Sequence, residues 1–261
     1  MSINELGKEL PIADILWYSQ GGGSNSAEND ETDEEIARKI VDSIKVSQLD
    51  PCPKEVMDKL MYSGNLDIAF VLQSLGASTD YKVNFVMKPA SSYAETQRTS
   101  KYNYEIRVDR TQSTDGTKLF KATVLLHEII HAHFLSIVDY YNSTPTTLFS
   151  LQTSFPDLFE AYVKKNYPNP SDAQHKEMAE KYVEAMAMTL QQYDANDKIN
   201  YQVYKDLAWG SLSKAPIFSK TFLPGSDEYK RILNRYNAEA VGRAVDQGTP
   251  DEQAPVGKPC N

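Results

Sequence analysis

The spacing of apolar positions divides the 261-residue chain into helical stretches on either side of a short strand region. Residues 34–46, 53–63 and 65–75 carry a helical pattern. Asp50-Pro51 breaks the first pair, and Pro53 suits the first turn of the second helix. Tyr81–Met87 and Tyr102–Asp109 alternate instead, which predicts two strands. The segment between them, with Pro89, Ser91, Ser92 and Thr96, reads as a loop. Lys118–Asp139 then runs without Gly or Pro, and Val124, Leu125, Ile129 and Phe134 suit a helix largely buried in a domain. Helices are also expected over residues 155–166, 172–193, 197–212 and 227–243, punctuated by Asn166–Pro170, Ala215-Pro216 and Pro224-Gly225.

The expected fold class is therefore α+β, mostly helical, with a small sheet preceding the central helix. Residues 1–34 form a flexible N-terminal segment and linker, because Gln20–Glu34 is Gly- and Ser-rich and then acidic. Residues 35–243 make one domain, and residues 244–261, with Gly248, Pro250, Pro255, Gly257 and Pro259, make an extended tail. There is no internal repeat.

The central helix carries His127-Glu128-Ile129-Ile130-His131. Residues four apart share a helix face, so both imidazoles can aim at one metal ion. Glu128 stands beside them, close enough to take a proton from a metal-activated water and poorly placed to be a third ligand. That is the arrangement of H-E-x-x-H zinc hydrolases, and it predicts a zinc-dependent peptidase with His127 and His131 as ligands and Glu128 as general base.

Composition narrows the partners. A formal charge of −9 argues against a nucleic-acid backbone or an anionic membrane as the main partner. No apolar run approaches the roughly 20 residues of a membrane span. The opening Met1–Leu10 stretch lacks the basic-then-apolar order of a signal peptide. The chain is thus expected to stay inside the cell, to leave by a specialised route that reads no such signal, or to have lost a leader. Cys52 and Cys260 do not make a zinc site by spacing; they form either one long-range disulfide or two thiols. Nothing suggests a nucleotide, flavin or haem site.

A catalytic zinc usually takes three protein ligands. His133 lies two residues past His131 and points about 200° away, which excludes it and leaves a surface or packing role. His175 opens a helix whose Met178, Ala179, Tyr182, Val183, Met186 and Leu190 gather into one apolar stripe, and it falls at the centre of that stripe's direction. It is the favoured third ligand. Glu160, and then Glu180, are the competing choices. An oxyanion donor could come from Tyr182, Tyr201 or Tyr204, with nothing to choose among them. Trp209, beside Gly210, reads as a packing anchor or as a wall of a substrate pocket.

The runs Leu125–Phe134, His175–Ala187 and Tyr204–Leu212 together resemble a group of zincin-like metallopeptidase domains of Bacteroidetes-type bacteria, often found at the ends of large Rhs-like or secreted proteins. Leu49–Pro53 resembles the start of such domains, so the likeness spans about residues 49–213. It implies a zincin-like fold, Zn2+, His127 and His131 as ligands, Glu128 as base and His175 as third ligand. This chain has His133 where the pattern leads to an aromatic and Ser211 where it leads to Gly. The H-E-x-x-H motif implies a peptide or protein substrate, and the resemblance implies a secretion system or larger carrier protein as partner. Two rival readings remain: a toxin effector using the same chemistry on a target-cell protein, and a non-catalytic zincin-like binding module.

Overall fold

A computed structural model describes residues 43–62, 82–141, 175–176, 178–179, 182–196 and 198–260. Four strands, β1 (Ile44–Gln48), β2 (Lys82–Met87), β3 (Ala94–Ser100) and β4 (Asn103–Val108), form one sheet in the order β1-β2-β4-β3. β1 and β4 each run parallel to β2, and β3 returns antiparallel to β4 as the far edge. The helices are α1 (Pro51–Tyr62), α2 (Lys118–Tyr141), α3 (Val183–Asp194), α4 (Tyr201–Gly210), α5 (Pro216–Thr221) and α6 (Asp227–Val241). The class is α+β with a small sheet ahead of the central helix, as expected.

Three elements differ from expectation. Residues 44–46 were expected to end a helix, yet Ile44–Gln48 is a strand. Its β-branched Ile44 and Val46 lie two apart and both pack on the core, which is strand periodicity, and pairing with β2 overrides helix propensity. The expected loop around Thr96 contains β3. That strand has few apolar residues and sits at the sheet edge, so it shows almost no alternation to read. α5 was also not anticipated; Pro216 opens it at a position where a missing N–H costs nothing. The helices expected over 65–75 and 155–166, and residues 34–42 of the first, lie outside the described residues, as do Glu160 and Glu180.

The core joins sheet and helices. β4 alternates cleanly, burying Tyr104, Ile106 and Val108. α1 contributes Val56, Met57, Leu60 and Met61, and α3 contributes Val183, Met186, Ala187 and Leu190. α2 is apolar on nearly every side: Leu125, Leu126, Ile129, Ile130 and Phe134 are all fully buried. Among the described residues no helix is long and apolar enough to cross a membrane.

The start of α2 is anchored in three ways. Thr117 caps it, accepting from the Phe120 N–H at 3.1 Å. The same hydroxyl donates to the carboxylate of the fully buried Glu239 on α6. That carboxylate also accepts the Val256 and Gly257 N–H groups of the tail, and the Lys118 N–H donates to the Lys258 carbonyl at 2.7 Å. Cys260 ends the strap in a disulfide with Cys52 of α1, 208 residues away in sequence, with Cα atoms 5.8 Å apart. Such a bond is compatible with export to an oxidising compartment.

Closing so long a loop restricts the unfolded chain strongly. Replacing Cys52 and Cys260 together by Ala should lower stability by about 2–5 kcal/mol. Urea unfolding without reductant checks this. An unmoved midpoint would mean that the Glu239 network alone holds the tail.

Candidate metal centre

The site assembles where α2 passes β3, the approach to α3 and the end of α4. His127 and His131 project from successive turns of α2; His127 is buried and His131 half-buried. His175 belongs to the helical residues leading towards α3, where Met178, Tyr182, Val183, Met186 and Leu190 are buried as the apolar stripe predicts. The His131 Nε2 lies 2.9 Å from the His127 Nε2 and 3.1 Å from the His175 Nε2. One ligand nitrogen from each ring falls within 4.8 Å of the other two, so the trio could hold a metal ion.

These distances suit the chemistry. An ion bound tetrahedrally by imidazoles at about 2.1 Å spaces their nitrogens about 3.4 Å apart, within about half an ångström of two of the three separations. Burial, and then the neighbouring His131 and His175, hold the His127 imidazole well below the usual histidine range. Its neutral ring keeps the lone pair that a metal needs. The His127 Nδ1 lies 3.1 Å from the Ser211 Oγ, just past the end of α4.

Glu128 is buried beside the trio. The Thr96 hydroxyl of β3 lies 2.6 Å from its Oε2 and 2.9 Å from its backbone carbonyl oxygen. Burial pushes the Glu128 carboxyl up to about 7, the Thr96 hydrogen bonds opposing the rise and the charge of Glu95 adding to it. A carboxyl poised there can exchange protons near neutral pH.

A cavity of about 680 Å³ opens over these groups. Its walls include Ala94, Glu95 and Thr96 of β3, Ser211 and Lys214 after α4, and Tyr236 of α6. α6 can approach because residue 210 is glycine: a Cβ there would lie 2.5 Å from the Tyr236 Cβ. Burial, and then the Glu128 charge, push the Tyr236 phenol up, so it keeps its proton at neutral pH.

His127, Glu128, His131 and His175 thus converge as the sequence predicts. His133 points away into the core, fully buried and edge-on to the Tyr182 ring at 6.4 Å, in the packing role. The three tyrosines considered as donors are not brought to the cavity. Tyr182 packs on Phe134, Tyr201 donates to Glu184 at 2.7 Å, and Tyr204 donates to Asp194 at 2.9 Å. Trp209 packs edge-on against Phe222 rather than lining the cavity. Thr96, Ser211 and Tyr236 were missed. Thr96 and Thr99, β-branched residues spaced by three, gave too little pattern to mark the strand. Ser211 was visible only as a departure from the expected glycine.

No family model, curated protein or solved structure matches the chain.

The raised Glu128 value makes the metal-free protein pH-sensitive. A carboxyl whose folded value, about 7, exceeds its ordinary 4.5 stabilises the fold most below 4.5, and the contribution is lost as pH rises through about 7. Between about pH 5.5 and pH 8 it amounts to about 2 kcal/mol. Urea unfolding of metal-free wild type and Glu128→Gln at both pH values isolates the effect. The variant should lose about 2 kcal/mol less stability over this range than wild type; parallel losses would show that Glu128 titrates normally.

Proposed function

We propose that this chain is a zinc-dependent peptidase of zincin-like type, with His127, His131 and His175 as metal ligands and Glu128 as general base. The observation that carries the reading is the convergence of three imidazole nitrogens beside a buried carboxyl in one open cavity. Three histidine ligands leave a fourth position free, which is the composition of a catalytic rather than a closed structural zinc site. When bound, zinc would supply the Lewis acidity that polarises a carbonyl and lowers the pKa of water to about 7.

The protein's own groups account for the remaining steps. Glu128 accepts the proton of the attacking water and returns it to the leaving amine. Thr96 holds the Glu128 carboxylate at a fixed angle through its 2.6 Å hydrogen bond. Tyr236, which stays protonated, is the donor we assign to the oxygen of the tetrahedral intermediate. β3 is a sheet edge along the cavity, suited to pairing with an extended peptide. The Cys52–Cys260 disulfide favours action in an oxidising compartment, in line with the secreted and effector readings.

Glu128→Gln should bind zinc in the same 1:1 ratio as wild type and lose about 10²–10⁴-fold in peptide hydrolysis. Metal analysis alongside a peptide-library assay measures both, and retained turnover would sink the mechanism. His175→Ala should lose the metal; unchanged zinc content there would redirect the third ligand to Glu160 or Glu180.

A further inference from the structure

The hydrogen bonds at the end of α4 bear on which nitrogen of His127 carries its proton. Ser211 is the C-cap of α4. There the Leu212 N–H turns to the Trp209 carbonyl at 2.9 Å, and the Ala208 carbonyl takes the Ser211 hydroxyl at 2.7 Å. A serine hydroxyl has one hydrogen and two lone pairs. With that hydrogen directed at Ala208, the Oγ can only accept from the His127 Nδ1, 3.1 Å away. The helix end orients the hydroxyl, and the hydroxyl orients the ring.

We infer that Ser211 is a positioning residue for His127, fixing it as the Nδ1–H tautomer so that the Nε2 presents a lone pair to His131 and His175. The opposite tautomer would put a hydrogen on the Nε2, which lies 2.9 Å from the His131 Nε2, and would close the site to a metal. Metal-ligating histidines are commonly fixed by a carboxylate or carbonyl on the other nitrogen. Here a serine performs that role, its own proton held by a helix-terminal carbonyl. The link to metal affinity rests on the proposed metal centre, whereas the tautomer itself does not.

The test uses the full chain labelled with ¹⁵N-histidine. In metal-free wild type, ring-nitrogen shifts should report a protonated Nδ1 and an unprotonated Nε2 for His127. An Nε2–H ring overturns the inference without any variant. Ser211→Ala should give a tautomer mixture and weaken zinc binding about 10–100-fold by chelator competition. Ser211→Thr, which keeps the hydroxyl, should restore both readouts. An unchanged tautomer and affinity in a folded Ser211→Ala protein also overturns it. If wild type takes no zinc, the metal-centre reading fails, and the His127 shifts still decide the role of Ser211.

Discussion

One buried carboxylate fixes the structure's central rod. Glu239 accepts from the Thr117 hydroxyl at the start of α2 and from two tail N–H groups. A carboxylate without such donors would be costly in a core position, so these three segments must meet for Glu239 to be buried. The Thr117 hydroxyl that donates to it also caps α2, its oxygen accepting from the Phe120 N–H. His127 lies about two and a half turns along that helix, and a helix transmits position because its rise and twist are fixed. Holding the end of α2 therefore helps to set where the first imidazole stands.

The remaining site groups arrive from separate parts of the chain, each with its own local cause. Thr96 comes from a strand held by its antiparallel pairing with β4. Ser211 comes from the end of a helix whose last turn needs a donor for its carbonyl. His175 comes from a helical stretch whose apolar residues pack into the same core as α2. Tyr236 reaches the cavity because Gly210 has no side chain in its way. Helical and strand residues and one helix cap supply these groups, and sites built on helices and strands are positioned more precisely than sites on loops.

How much of this was legible follows from the size of each physical signal. The central helix and His175 were readable because burial imposes a helical period on many residues at once, and that period also fixed the direction of His175. The same geometry sent His133 into the core. The edge strand β3 was unreadable, because its residues pass from buried to exposed along the strand without the alternation that marks a half-buried strand. β1 was misread for a related reason: five residues hold too few periods to distinguish strand from helix. The hydrogen bonds of Thr96 and Ser211 span 32 and 84 residues and leave no mark on local pattern. Tyr236 was missed similarly, since its place depends on two helices approaching at a glycine.

The bond between Cys52 and Cys260 also gives the molecule the topology of a closed ring. Thr96, His127, Glu128, His131, His175, Ser211 and Tyr236 all lie within it. A single break in the backbone anywhere between the two cysteines leaves both pieces in one covalent molecule. The severed parts would stay at the high effective concentration of tethered partners instead of diffusing apart. For a chain proposed to cut peptides, a nick by a neighbouring copy would then be a wound and not a dismemberment.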